Sequence, residues 1–269
     1  MGRIGERFAA LRRRGEKALV PFVTAGDPDL VTTAAAVEAL VEAGADAVEI
    51  GVPFSDPMAE GPAIQRASER ALASGTSLRH VLGLVEKLRP HVEIPLVLMG
   101  YANNFLCMGE RGFAEAARQV GVDGVIAVDL PPEEGSLLAA ELEARGIDRI
   151  LLAAPTTSEA RLAMLVRETR GFLYYVSLTG VTGARPELAR GLEEGVRRAK
   201  GLGEVPVCVG FGISTPEQAR DVARYADGVV VGSALVERMA AADGPGAAAE
   251  AAREFAASLK SALRAAQSR

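Results

Sequence analysis

Short apolar runs rich in Val, Ile and Leu recur along the chain, and most are followed by a turn rich in Gly, Pro or Asp and then by a helical pattern. The runs are continuous rather than alternating in polarity, which is typical of parallel strands buried on both faces. They predict eight strands, at residues 19–23, 47–50, 96–99, 124–127, 150–152, 172–176, 207–209 and 228–231.

The segments between these runs have helical periodicity, and two of them begin with a pattern of capping-box form. One pattern joins Thr156 to Glu159, and the other joins Ser214 to Glu217. Three further helices are predicted outside the repeat: residues 2–14 before the first strand, one near residues 78–88 after the second strand, and residues 247–266 at the end.

The alternation of strands and helices predicts an α/β protein with a single domain. Eight strand–helix units in 269 residues match a (β/α)8 TIM barrel in number and size. The helix at 2–14 would then close the bottom of the barrel. A doubly wound open sheet is the alternative, because one sequence does not reveal closure, although no GxGxxG motif follows the first strand.

Composition and charge limit the classes of partner. The 35 acidic and 30 basic residues give a net charge of −5, which argues against a nucleic-acid or acidic-membrane partner. No apolar run reaches the ~18 residues of a membrane-spanning helix. We expect Cys107 and Cys208 to be buried in a reducing compartment, and His80 and His91 to be surface residues. A cytoplasmic protein without a metal site is therefore predicted.

Glu49 is the first candidate for chemistry, because it lies within the apolar run 47–50. A carboxylate in such a strand is unfavourable unless function or a partner offsets its desolvation. An inward residue near the carboxyl end of a barrel strand faces the active site. A buried ion pair is the alternative, but no basic residue lies nearby in sequence. The pattern indicates a general acid/base whose pKa is raised by burial.

A second carboxylate, Glu60, lies in the Pro/Gly/Asp-rich loop 53–62 after the second strand. Loops at the carboxyl ends of barrel strands carry substrate-handling residues. A loop glutamate is nevertheless more often solvated than catalytic, so the pattern alone leaves its role open. We interpret the neighbouring Asp56 as a turn-forming residue.

Three glycine-bearing turns follow the last three strands, at 179–184, 210–214 and 232–233. Backbone amides without side-chain bulk, together with a helix amino end, form an anion site, and barrels often bind phosphate after their last two strands. These turns predict a phosphate site.

Tyr101, Tyr174 and Tyr175 lie at strand ends, where a ring packs against a planar substrate or fills the core. At least one of the adjacent pair should face the helices.

Seven segments together resemble the tryptophan synthase α chain family, and they occur in family order from the first strand to the eighth. They are PFVTAGDP at 21–28, EIGVPFSDP at 49–57, DLPPEE at 129–134, APTT at 154–157, YVSLTGVTG at 175–183, VGFGIS at 209–214 and GVVVGS at 228–233.

The resemblance implies retro-aldol cleavage of indole-3-glycerol phosphate into indole and glyceraldehyde 3-phosphate, without metal or cofactor. Glu49 would handle the hydroxyl and C3 protons, and Glu60 would hold the indole N–H. The substrate pocket would include Phe22, Tyr101, Ile126, Val128, Ala153, Tyr174 and Thr182. The phosphate would be bound by Gly183, Phe211, Gly212, Ile213, Gly232 and Ser233.

The resemblance also implies a partner and one departure from the family. Indole would pass to a β chain that carries pyridoxal phosphate, in an α2β2 tetramer, through contacts at loops 53–60 and 103–108. The family loop reads Ala-Asp-Gly-Pro, whereas this chain has Glu60. The extra methylene moves the carboxylate by roughly 1 Å, which can lower the rate by on the order of a hundredfold. We therefore expect reduced cleavage with substrate binding retained.

Three alternatives remain open at this point. A non-catalytic activating subunit would result if Glu60 abolished cleavage, and a stand-alone lyase would release indole without a partner. Another phosphate-binding barrel, such as a phosphoribosyl isomerase, would lie outside the family.

Overall fold

The apolar runs form the strands of one parallel sheet in a computed structural model, which describes residues 2–177, 186–210 and 212–265. Along the sheet the strands follow the order β5-β4-β3-β2-β1-β9-β8-β7-β6. Their bounds are β1 Ala18–Thr24, β2 Val48–Gly51, β3 Leu96–Gly100, β4 Gly124–Ala127, β5 Asp148–Arg149, β6 Leu152–Ala153, β7 Leu173–Val176, β8 Val207–Gly210 and β9 Gly228–Val231.

The fifth predicted strand is divided into two short segments that close the sheet. β5 pairs with β4 and β6 pairs with β7, and only residues 150–151 separate β5 from β6 along the chain. On one side the Ile150 amide donates to the Val125 carbonyl at 3.0 Å, and on the other the Tyr174 amide donates to the Leu151 carbonyl at 3.0 Å. The two ends of the sheet therefore meet, and the predicted TIM barrel is confirmed.

The helices surround this sheet, and none in the described ranges has the length and apolar character to cross a bilayer. Their bounds are α1 Arg3–Arg14, α2 Leu30–Glu42, α3 Pro62–Ala73, α4 Leu78–Leu88, α5 Ala102–Leu106, α6 Glu110–Val120, α7 Ser136–Glu143, α8 Glu159–Glu168, α9 Pro186–Gly201, α10 Pro216–Ala223, α11 Ser233–Ala240 and α12 Gly244–Ala265. The three helices predicted outside the repeat correspond to α1, α4 and α12. Helix α3 is the helix of the second strand–helix unit, but its bounds were not located in the sequence, because its buried side chains are mostly the small Ala63, Ala67 and Ala71.

Both predicted capping boxes are displaced from the helix starts. The cap of α8 is Ser158, which follows the predicted Thr156 by two residues. The box of α10 joins Thr215 to Gln218, one residue after the predicted Ser214. The predictions were wrong because neighbouring Ser and Thr residues offer equivalent cap oxygens. The path of the chain between the strand and the helix determines which of these oxygens caps the helix.

The cysteines differ in environment, whereas the histidines do not. Cys208 is buried, as expected, but Cys107 is exposed at the end of the short helix α5, so that expectation was wrong. His80 and His91 are both exposed, which confirms their assignment to the surface.

Side chains alternate along the strands and form two apolar layers. An outer cluster lies between the sheet and the helices and includes Leu19, Val23 and Tyr175. An inner cluster fills the barrel and includes Val20, Phe22, Val97, Met99, Ile126, Ile150, Phe172, Tyr174, Cys208 and Val230. Helix α1 adds Ile4, Phe8 and Leu11 to the inner cluster, which confirms that this helix closes the bottom of the barrel.

Several charged groups at the bottom of the barrel are paired. Three aspartates that precede strands accept backbone hydrogen bonds from neighbouring strands: Asp46 from Leu19 at 2.7 Å, Asp123 from Leu96 at 2.9 Å and Asp227 from Val207 at 3.0 Å. Arginine or lysine side chains contact the same carboxylates. The bottom of the barrel is therefore a structural rim in which each of these aspartates has partners.

The substitution Asp46→Ala tests this rim. Asp46 contacts the buried Lys260 at 2.5 Å and Arg7 at 2.8 Å, so its removal leaves a buried ammonium unpaired. We expect a loss of about 3–5 kcal/mol in the free energy of unfolding, measured in urea. The exposed pair of Glu42 with Arg253 provides the control, since Glu42→Ala should lose at most about 1 kcal/mol. Equal losses in the two variants would contradict the assignment.

Candidate active site

The side chain of Glu49 points into the barrel from β2. In the sheet register Glu49 lies between Phe22 on β1 and Val97 on β3, and both of these neighbours belong to the inner cluster. Glu49 is 1% exposed, and neither of its carboxyl oxygens has a hydrogen-bond partner among the described residues. Burial raises the pKa of Glu49 to about 8, and the nearby Glu60 contributes a smaller increase. The alternative of a buried ion pair is therefore excluded within the described ranges.

Glu60 lies in the loop between β2 and α3 and is held by the surrounding polypeptide. The Tyr101 hydroxyl donates a hydrogen bond to the Glu60 carboxylate and accepts one from the Ala59 amide at 2.8 Å. The Tyr101 ring stacks on Phe54 with centroids 4.8 Å apart, and the Gln65 side chain donates to the Glu60 carbonyl at 2.9 Å. Burial raises the pKa of Glu60, while the hydrogen bond from Tyr101 opposes this effect. Glu60 is therefore a positioned, half-buried carboxyl group.

Glu49 and Glu60 face the same cavity, whose volume is about 230 Å³. Besides these two carboxyl groups, it is lined by Phe22, Gly61, Ile64, Met99, Tyr174, Gly212, Ile213, Ser214, Gly232, Ser233, Ala234 and Glu237. The cavity thus combines a mainly apolar wall with two carboxyl groups in different environments.

Six of the predicted binding residues line this cavity: Phe22, Tyr174, Gly212, Ile213, Gly232 and Ser233. Tyr101 does not line the cavity but donates a hydrogen bond to Glu60, which does. The predicted Thr182, Gly183 and Phe211 lie outside the described residues.

Three other predicted pocket residues are absent from the cavity wall. Ile126 belongs to the inner cluster and Val128 packs against that cluster, but neither lines the cavity. Ala153 belongs to the outer cluster, so its side chain faces the helices, which corrects the prediction. Its neighbour Leu152 packs against the inner cluster. Ile150 also belongs to the inner cluster. Because side chains alternate along a strand, Leu152, two positions later, could have been identified as the inward residue.

Several lining residues were missed by the sequence reasoning. Met99 follows the inward Val97 by two positions, so strand alternation could have identified it. Ile64 and Glu237 lie on helices α3 and α11, and their approach to the cavity depends on helix packing that the sequence does not reveal.

One part of the cavity is lined by backbone from the turns after β8 and β9. Gly232 is the cap residue of α11, and the amides of Ser233 and Ala234 lie in the first turn, where helical amides have no intrahelical acceptor. The partial positive charge of a helix amino end favours an anion there. Gly210 at the end of β8 has a steric role, because a Cβ atom at this position would overlap the hydroxyl of Tyr174. The site therefore offers a recess for an anionic group beside the ring of Tyr174.

A model of the family described as tryptophan synthase alpha chain matches residues 8–264. The tryptophan synthase alpha chain of Geobacter sp. (strain M21) is 57% identical over 237 residues, which cover 88% of this chain and 89% of that relative. Tryptophan synthase subunit alpha from Legionella pneumophila str. Paris superposes with a TM-score of 0.90 at 40% identity, covering 98% of this chain and 99% of that one. Tryptophan synthase from M. tuberculosis in an aminoacrylate-bound form gives a TM-score of 0.88 at 36% identity, covering 98% and 100%.

The substitution Glu49→Gln tests the burial of this carboxyl group. Since the folded-state pKa is about 8 against an ordinary value of 4.5, the folded protein retains a proton that the unfolded chain releases. The contribution of Glu49 to stability therefore falls as pH rises from about 4.5 to about 8. In thermal unfolding, Glu49→Gln should raise the Tm by several degrees at pH 8 and by much less at pH 5. The exposed Glu69→Gln is the control, and an equal gain at both pH values would contradict the assignment.

Proposed function

The chain belongs to the tryptophan synthase alpha chain family, and we propose that it cleaves indole-3-glycerol phosphate to indole and glyceraldehyde 3-phosphate. The observation that carries this proposal is the pair Glu49 and Glu60, which face one cavity that also contains an amide-lined recess. The planar indole fits the apolar wall, and the recess suits the phosphate.

Glu49 is suited to act first as an acid and then as a base. A carboxyl group with a pKa of about 8 is mostly protonated at neutral pH, so it delivers a proton to C3 of the indole ring. The resulting carboxylate takes the proton of the glycerol hydroxyl as the carbon–carbon bond breaks, which restores the starting state. One buried group thus performs both transfers, because its pKa lies near the working pH.

Glu60 complements Glu49 by accepting the hydrogen bond of the indole N–H. Protonation at C3 places positive charge on the ring nitrogen, and a nearby carboxylate stabilises that charge. The hydrogen bond from Tyr101 favours the charged form of Glu60 and sets the direction of the carboxylate. The two carboxyl groups therefore divide the proton chemistry between them.

The phosphate is proposed to lie against Gly212, Ile213, Gly232 and Ser233, where backbone and the start of α11 meet. By the resemblance, Gly183 and Phe211 would also bind the phosphate and Thr182 would belong to the substrate pocket, and all three lie outside the described residues. The proposed reaction consists of proton transfers and bond cleavage, which carboxyl groups perform, so we propose that this chain uses no cofactor.

A β chain is the partner that the family implies, and we propose that indole passes to pyridoxal phosphate on that chain in an α2β2 assembly. Two apolar side chains support this contact surface: Met58 on the loop 53–60 is 85% exposed, and Leu106 on the segment 103–108 is 37% exposed. The exposed thiol of Cys107 supports a reducing compartment, and we place the reaction in the cytoplasm.

The substitution Glu49→Gln should abolish most of the proposed cleavage. Loss of a general acid/base lowers the rate by roughly 10²–10⁴-fold. Indole release from indole-3-glycerol phosphate is measured with the purified chain, alone and with a tryptophan synthase β chain. Glu69→Gln, an exposed change on α3, is the control. Wild-type protein that releases no indole in the presence of the β chain would contradict the proposed function. Full activity of the wild-type protein in the absence of the β chain would identify a stand-alone lyase.

The substitution Glu60→Asp tests the departure from the family loop. If the extra methylene misplaces the carboxylate by roughly 1 Å, indole release should rise by as much as on the order of a hundredfold in the variant. The same shortening at the exposed Glu69, as Glu69→Asp, should leave the rate unchanged. An equal or lower rate for Glu60→Asp would show that the loop and Tyr101 are fitted to glutamate.

A further inference from the structure

Helix α3 and its cap residue form part of the wall of the active-site cavity. It begins at Pro62, directly after Glu60 and its cap residue Gly61. Gly61 and Ile64 line the cavity, and Ala67, one turn further, belongs to the inner cluster of the barrel. The position of Glu60 therefore depends on how this helix is attached to the barrel.

The far end of α3 is attached to the loop after β1 by a bidentate ion pair. Arg70 donates to both carboxylate oxygens of Asp27, from Nε at 2.6 Å and from Nη2 at 2.9 Å. Asp27 is only 5% exposed, so this pair is shielded from solvent on the carboxylate side. Planar two-point contacts of this kind fix geometry as well as charge.

Contacts next to the ion pair extend the same attachment. The Ser74 hydroxyl, at the end of α3, lies 3.3 Å from the Gly26 carbonyl, and its shorter hydrogen bond, at 2.8 Å, goes to the Ala71 carbonyl of the same helix. A Cβ atom at Gly26 would overlap the Thr76 side chain, so the loop and the turn after α3 lie in close contact. By contrast, the other ion pair of α3 within the described residues, Arg66 with Glu237, spans 3.8 Å between two well-exposed side chains.

We propose that Arg70 and Asp27 are positioning residues of the active site, whose ion pair holds α3 so that Glu60 faces the cavity opposite Glu49. This inference rests on the proposed function. Arg70 lies eight helical rises from Pro62, about 12 Å along the axis, and it does not line the cavity. Its effect is therefore transmitted through the helix, and Asp27 provides the fixed point because it follows β1, the strand that carries Phe22.

The expected kinetic effect follows from how directly each half of the site depends on α3. Glu60 lies on the loop that leads into α3, whereas Gly232 and Ser233 follow β9 and only adjoin α3 through α11, to which the Arg66–Glu237 pair joins it. Displacement of α3 should therefore disturb the carboxylate at position 60 more than the phosphate recess. The turnover number per folded enzyme should fall by more than KM rises, and the folded fraction is measured separately because a general loss of stability reduces only that fraction.

The test compares Arg70→Gln with Arg7→Gln in the full chain, assayed with a β chain. Arg7 also makes two hydrogen bonds to a buried aspartate, Asp46, but at the bottom of the barrel. For Arg70→Gln we expect kcat for indole release to fall about tenfold with KM changed less than about twofold. Arg7→Gln should keep the wild-type kcat for its folded fraction. Arg70→Lys, which retains the charge but not the fork, should give an intermediate kcat.

A second variant and a second measurement exclude simple misfolding. Asp27→Asn/Arg70→Gln removes the ion pair without leaving a buried charge unpaired, and it should show the same selective fall in kcat. Hydrogen exchange of the amides at 63–67 should be faster in this double variant than in wild type or Arg7→Gln. Unchanged kcat and unchanged exchange in the double variant would overturn the inference. If wild type releases no indole, the proposed function fails, and the exchange measurement still decides whether the pair holds α3.

Discussion

The chemistry of the site depends on one unfavourable feature, a carboxyl group buried in the barrel without a hydrogen-bond partner in the described part of the chain. Glu49 lies between Phe22 and Val97 in the sheet, and both of its oxygens lack hydrogen-bond partners among the described residues. Such a group is tolerated because it remains protonated, as its pKa of about 8 indicates. The neutral form also avoids repulsion with an anionic substrate. The same burial that lowers stability at high pH thus gives Glu49 a pKa near neutrality.

Carboxyl groups at the two ends of the barrel illustrate how environment divides structure from chemistry. At the bottom, Asp46 and Asp123 receive backbone amides and basic side chains, so they join elements. At the top, Glu49 has no such partner among the described residues, and the Glu60 carboxylate accepts a hydrogen bond from the Tyr101 hydroxyl. Burial raises the pKa of Glu49 to about 8 and also raises the pKa of Glu60, and perturbed carboxyl groups of this kind are typical of active sites. These two groups meet at the carboxyl ends of the strands, where barrels have their active sites.

The sequence predicted the parts of the fold that depend on local periodicity. Continuous apolar runs identified the strands, and the position of Glu49 within one of them indicated its inward direction. Alternation along the strand also predicted that Tyr174 and Tyr175 point in opposite directions, and Tyr174 belongs to the inner cluster and Tyr175 to the outer cluster. The placement of Ala153 in the pocket came from the resemblance and was wrong; its strand is only two residues long, so the direction of its side chain has to be taken from the inward Ile150. The bounds of helix α3 were not located because alanines at its buried positions give little contrast in hydrophobicity between its faces.

Residues whose direction depends on tertiary contacts were beyond sequence reasoning. A strand residue can point only inward or outward, so two neighbours determine its environment. A loop residue such as Glu60 has no such constraint. The direction of its side chain depends on Tyr101 after β3, on the start of α3, and on the contacts that attach α3 to the barrel. The strand carrying Glu49 and the loop carrying Glu60 are adjacent in sequence, yet the two side chains meet only because separate elements orient them. A substitution at position 60 therefore acts through these supports, and the effect of one methylene depends on how far Tyr101 and α3 can adjust.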